Sequence, residues 1–299
     1  MQKIPVGQTI AFSYRFVFAE IGTIVGISWL PAVLSSLASY LTAIYAAIHR
    51  ADIEAGEPQT VAFYLAVSLA GLAVTVFAAA IIAVAITRHV LGQRSTGVIA
   101  YLAAGRSEWR MFAATIRYLL GAAGLILLAA FITAAVFRLA GIPLDMPGRT
   151  QAGAPGILAQ LVSWAVFLSA LVIILRAGFF LPASIVAEEH GGLRRSYELT
   201  QGNVWRAFAI IIALGLPVLL LLLGGEAVVL RSALGPNFAN MNPAEFFQRA
   251  GEAMEEKLLP WEIFSAVIFV LGSGLIYSGT AAAYRARVEA VDLTRRPPS

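Results

Sequence analysis

The chain has 299 residues, of which 59% are hydrophobic and 13% charged, with no cysteine and a formal net charge of +4. Without thiols there are no disulfides, thiolate metal sites or cysteine nucleophiles. A mean hydropathy of +0.80 points to a membrane rather than an aqueous fold.

In chain order, Met1 to Glu20 carries Lys3, Arg15 and Glu20. It holds no short apolar run ending at a small-residue cleavage site, so it does not read as a cleavable signal peptide. Six apolar runs follow, at Ile21–Ile48, Val61–Thr87, Met111–Leu139, Gly156–Val186, Val204–Leu230 and Trp261–Tyr284. Each exceeds the ~20 apolar residues that a helix needs to cross a bilayer. In hydrocarbon the backbone must satisfy its own hydrogen bonds, and continuous apolar runs are not the alternating pattern of a barrel. The reading is an all-α, polytopic membrane bundle of six transmembrane helices, with residues 1–299 as a single domain.

Lys and Arg set the orientation. One set of inter-span segments holds most of them, including Lys3, Arg15, Arg88, Arg94, Arg106, Arg110, Arg117, Arg176, Arg194, Arg195, Arg206, Arg285 and Arg287. The other holds Arg50, Arg138, Arg149, Arg231, Arg249 and Lys257. The positive-inside rule then puts both termini in the cytoplasm. The high pI is explained by arginines at helix ends, and no nucleic-acid partner is needed.

Trp109-Arg110-Met111-Phe112-Ala113 recurs as Trp205-Arg206-Ala207-Phe208-Ala209, each after a Tyr (Tyr101, Tyr197) and a Gly (Gly105, Gly202). Ser13-Tyr14-Arg15-Phe16 is a weaker copy, and Arg88, Arg176 and Arg285 close the returning spans. This predicts three units, 1–92, 93–187 and 188–299, each an interfacial helix, a span out, a loop and a span back. In the third, Leu193, Tyr197 and Thr200 would share the apolar side of an interfacial helix, Gly202 would end it and Asn203 would cap the next. Trp205 suits the headgroup layer and Arg206 can snorkel to phosphate.

Pro31 and Pro217 are expected to interrupt spans one and five. Ser28, Ser35, Ser36, Ser39 and Thr42 in span one, with Ser273, Tyr277, Ser278 and Thr280 in span six, read chiefly as packing positions beside small-residue motifs at Gly22/Gly26 and Gly274/Ser278. Between spans five and six, Asn242-Pro243 and Glu245 predict a capped surface helix over about 243–258, with Phe246, Ala250, Ala253, Met254 and Leu258 on one face.

Signals for chemistry are sparse. His49, His89 and His190 fall at span edges as solvated histidines, with no metal-ligand spacing. No nucleophile elbow, Walker A or dinucleotide fingerprint occurs. No Asp or Glu stands in the central third of a span, which disfavours ion-coupled transport. No catalytic residue, metal or cofactor is assigned. The candidate lipid-headgroup and interface residues are Arg88, Trp109, Arg110, Arg176, Arg195, Trp205, Arg206 and Arg285, with Arg176, Arg195 and Arg206 considered together as one phosphate site. The partners expected are anionic lipid headgroups on the cytoplasmic side, with other membrane proteins left open.

Arg176, Pro182-Ala183, Val186, Glu188, Gly191, Arg195-Ser196 and Leu199-Thr200-Gln201-Gly202-Asn203-Val204-Trp205-Arg206 resemble a pattern in bacterial six-span membrane proteins. These are the YciC-like proteins and the membrane domain joined to some glycerophosphodiester phosphodiesterases. Leu193-Arg194 departs from the small-apolar pair that usually precedes Arg-Ser. The resemblance implies the six-span architecture. The phosphodiesterase activity belongs to a separate metal-binding barrel, which these residues do not include, so it is not carried over. The functional expectation is a non-catalytic scaffold, accessory or lipid-interacting factor. The alternative is a permease or exporter of a small molecule or lipid, with an intramembrane enzyme ranked last.

Overall fold

The computed structural model describes residues 3–93, 101–102, 104–141, 154–188, 190–234, 249 and 256–295. Every regular element among them is helical: α1 (Val6–Ala19), α2 (Ile21–Ile48), α3 (Arg50–Glu54), α4 (Pro58–Val90), α5 (Arg106–Leu139), α6 (Ala154–Gly178), α7 (Leu181–Ala187), α8 (Leu193–Thr200), α9 (Val204–Leu234) and α10 (Leu258–Arg295). Six stretches are long and apolar enough to cross a membrane: α2, α4, α5, α6 with α7, α9 and α10. The fold is the expected polytopic helical bundle. Most of the surface helix expected at 243–258 lies outside the described residues.

Proline acts where the sequence did not point. α2 and α9 run through Pro31 and Pro217 without ending. The fourth span is instead divided at Phe179-Phe180 into α6 and α7. Pro182 stands in the first turn of α7 and has no N–H to give to the carbonyl one turn back, so the ladder cannot continue there. The freed Phe180 N–H donates to Ser196 Oγ at 2.9 Å, which fixes α8 against the break.

Packing is concentrated at one end. No residue of α4 before Val76 is buried, whereas Ala80 to Thr87 are almost wholly enclosed. The large buried side chains Ile24, Ile27, Phe180, Ile185, Ile210 and Leu214 lie towards the same end. There α1 lies across the bundle, with Tyr14 Oη donating to Ala213 O at 3.0 Å. Its Ser13 is fully buried, and a side chain on Gly279 of α10 would collide with Leu214 and Ser13. At the opposite end the spans associate as hairpins. Ser35 Oγ donates to Thr75 Oγ1 at 3.2 Å and Tyr45 meets Phe63 at 5.0 Å between α2 and α4. Gly225 of α9 receives the Phe264 ring of α10. Close approach through small residues is made by Gly274 against Ile24 and Val17, while a side chain on Gly22 would meet nothing.

Candidate anion-binding cleft at the basic end

Arg106, Arg110, Ala113 and Arg117 recur at helical spacing along one face of α5, a stripe about 16 Å long at 1.5 Å per residue. Facing it are Ile185 of α7 and the turn His190-Gly191-Gly192 that leads into Leu193, Arg194 and Arg195 of α8. Between the two walls lies a cleft of about 700 Å³ lined, among the described residues, by five arginines, His190 and no carboxylate. Trp109, about half exposed, stands at its rim.

A hydrogen-bonded turn builds the far wall. Gly191 is obligatory, since a Cβ there would lie 1.7 Å from Ser184 O. Arg110 Nη2 donates to the carbonyls of Glu188 (3.4 Å) and Gly191 (3.1 Å), tying α5 to this turn. The Glu188 carboxylate accepts Arg195 Nε at 2.7 Å and Tyr284 Oη at 2.8 Å, joining α8 to α10. Arg194 pairs with Glu198 at 3.0 Å. Among the described residues, Arg106 and Arg117 have no hydrogen-bonded or ionic partner.

Beside the cleft, the Glu108 carboxylate is fully buried. Its Oε1 accepts Arg88 Nη1 at 3.0 Å and Tyr101 Oη at 2.9 Å. Arg88 Nη2 also donates to Ser107 Oγ at 2.9 Å, so the last turn of α4 is bound to the first turn of α5. Burial first, and then the Glu108 carboxylate, pushes the Tyr101 hydroxyl above its usual pKa range.

The two Trp-Arg segments make parallel contacts. Trp109 packs edge-on to Phe112 at 5.7 Å, and Trp205 packs edge-on to Phe208 at 6.1 Å. Arg88 Nη1 donates to Tyr101 Oη, and Arg176 Nη1 donates to Tyr197 Oη. Arg110 donates to carbonyls ahead of α8, whereas Arg206 donates at 2.6 Å to Ile4 O ahead of α1. Ser13 and Ser196, each followed by Tyr, are both fully buried. Tyr14 departs from the pattern, because its hydroxyl goes to Ala213 O.

Of the eight sequence candidates, Trp109, Arg110 and Arg195 line the cleft. Arg88 is held by Glu108, Arg285 donates to Val90 O, and Arg206 is bound to Ile4 O. Arg176 lies over the Tyr197 ring at 3.7 Å. Trp205 is largely exposed. Arg176, Arg195 and Arg206 therefore do not line a common cleft, and only Arg195 faces this one. Arg106, Arg117, Arg194 and His190 were not among the candidates. The seven-residue spacing of Arg110 and Arg117 already puts both on one helix face running inward, but in the sequence snorkelling accounts for Arg117 better than a ligand site does; the α8 wall depends on the chain break at Phe180.

Two local expectations change. The buried side of α8 is Ser196, Leu199 and Thr200, with Tyr197 partly exposed, because Ser196 and Thr200 both donate to Arg176 O. His89 is largely enclosed, with Phe16 of α1 at 5.6 Å and Glu20 at 3.8 Å, rather than solvated. Asn203 Oδ1 accepts the Ile4 N–H at 3.0 Å, which anchors the start of the chain. No family model, curated protein or solved structure matches this chain.

Proposed function

We propose that this is a non-catalytic, lipid-interacting protein of the bacterial inner membrane, a scaffold or accessory factor that holds anionic headgroups in the α5–α8 cleft. One observation carries the reading. Among the described residues, five arginines and no carboxylate line an open cleft at the end of the bundle where positive charge is concentrated, and Arg117 lies inside a membrane-spanning helix. Guanidinium groups match phosphate in geometry and charge, and a polar cleft cut into the bundle at headgroup depth gives a lipid phosphate a seat. On this reading the basic end and both termini face the cytoplasm by the positive-inside rule, and α1 and α8 run along the interface.

The proposal extends to family and internal repeat. Membership among the YciC-like six-span proteins rests on the pattern over 176–206. Its residues are those that form the turn around Glu188, Gly191 and Arg195 and the attachments of Ser196, Asn203 and Arg206. A threefold design of units 1–92, 93–187 and 188–299 is supported by the matched Arg–Tyr pairs, which join the first unit to the second and the second to the third, and by the Trp–Phe pairs within the second and third.

A second reading, a permease or exporter, is favoured by a cavity of about 280 Å³ where α4, α5, α6, α9 and α10 converge. Its walls are mainly apolar, with Thr115, Tyr118, Tyr277 and Thr280 as the hydroxyl groups. They supply no charge for an ion-coupled cycle, so lipid retention comes first.

The test is native mass spectrometry of the protein released from mixed vesicles. Wild type should retain phosphatidylglycerol over phosphatidylcholine, and Arg106→Gln with Arg117→Gln should lower that preference. Equal retention of the two lipids by wild type removes the reading.

A further inference from the structure

The charge inventory of the cleft goes beyond retention of a single phosphate. Arg195 is balanced by Glu188 at 2.7 Å, and Arg194 by Glu198 at 3.0 Å. Arg110 is satisfied in part by neutral carbonyls, which do not cancel its charge. Arg106, Arg110 and Arg117 thus present three positive charges with no carboxylate partner among the described residues. They lie on one face of α5, with Arg106 and Arg110 one turn apart, about 6 Å, and Arg117 two turns further in, about 10 Å. A monoanionic phosphodiester offsets one of the three and leaves Arg117, two turns further along the stripe, without a counter-charge for its guanidinium. A free dianionic phosphate is compact and cannot reach both ends of the stripe.

We infer that the cleft is built for a ligand carrying two phosphate groups, one at Arg106 and Arg110 and the other at Arg117. The volume of about 700 Å³ has room for both, and the apolar wall of Ala113, Ala114 and Ile185 can receive a hydrocarbon portion. This inference rests on the lipid-headgroup reading and names its ligand class. A membrane lipid with two phosphates and a soluble bisphosphate with its phosphates on separate carbons share this chemistry, and the experiment separates them.

The protein in detergent is exposed to cardiolipin or phosphatidylglycerol at equal phosphate, and in parallel to the soluble propane-1,3-diol bisphosphate or inorganic phosphate. Retention is read by native mass spectrometry and thermal shift. The expected result is cardiolipin bound about tenfold tighter than phosphatidylglycerol, the equivalent of one added charge-assisted contact. Arg117→Gln should bring the ratio close to one, lowering cardiolipin retention by a much larger factor than phosphatidylglycerol retention. Arg117→Lys, which keeps the charge, should restore most of the ratio. A response to the bisphosphate as large as that to cardiolipin, with none to phosphate, supports the two-phosphate chemistry and assigns a soluble source. Equal binding of cardiolipin and phosphatidylglycerol per phosphate overturns the inference while the headgroup reading stands. A preference for cardiolipin that persists in Arg117→Gln also overturns it. If neither lipid is retained above phosphatidylcholine, the headgroup reading itself falls.

Discussion

The two ends of this bundle are held together by different physics. At the basic end, different elements are tied together by buried and part-buried hydrogen bonds: Arg88 with Glu108, Glu188 with Arg195 and Tyr284, Ser196 with Phe180, and Asn203 and Arg206 with Ile4. At the opposite end, the outward-facing leucines and phenylalanines are exposed, as Leu127 and Phe131 are at about 70%. Lipid is as apolar as leucine, so burying such a residue between helices yields little. What distinguishes one helix arrangement from another is therefore polar pairing and close contact, and both are gathered where the arginines are. The lesson is that the arginines gathered at one end of the bundle also close its tertiary structure, and the few left over line a cleft.

The contrast is tested most severely at Gly191. Gly191→Ala drives a methyl into Ser184 O, 1.7 Å from the ideal Cβ, and detaches Arg110 from the turn. A loss of about 3 kcal/mol or more is expected, visible as poor yield and early aggregation in detergent. Retention of wild-type thermal stability would show that the turn is not structural. Next in size is Glu108→Ala. It leaves Arg88 and Tyr101 without their shared acceptor and should cost about 2–3 kcal/mol, at or below the lower range for a broken buried pair because Arg88 is partly exposed.

A matched pair probes the gradient directly. Ile82 is fully enclosed and Leu127 is 70% exposed. Ile82→Ala should cost about 2 kcal/mol, whereas Leu127→Ala should stay within about 0.5 kcal/mol. Equal losses would mean that the exposed half is covered by another protein surface. The smallest effect concerns pH. Tyr101 is held neutral more firmly in the folded protein than in the unfolded chain. Its contribution is complete below about pH 10 and is lost as pH rises through the higher folded value. Tyr101→Phe should flatten the alkaline fall in melting temperature, and an unchanged profile would assign that fall to other groups.

Much of the fold was legible because hydrocarbon imposes length and apolarity on every span. The six runs match the observed helices to within a few residues at most ends, and Gly202, at a positive φ of 75°, closes α8 as expected. The Trp-Arg echo also has a counterpart in geometry. What could not be read was tertiary. Pro31 and Pro217 look like breakers but stay within continuous helices, while Pro182 takes effect because Ser196 stands ready to accept the released Phe180 N–H. An arginine on an interface looks the same in sequence whether it faces lipid or a carbonyl. Arg206 and Arg285 face carbonyls, and the cleft was assembled instead from Arg106 and Arg117 against α8.

The chain contains no cysteine, so one introduced thiol reports one place. Ala113 lies on the α5 wall between Arg110 and Arg117. In Ala113→Cys, a charged, impermeant maleimide should label the thiol in inside-out vesicles but not in right-side-out ones, and anionic lipid added to the detergent-purified protein should slow the labelling. Labelling from the periplasmic side, or a thiol that never reacts with the reagent, would contradict a water-filled, anion-receiving cleft on the cytoplasmic face.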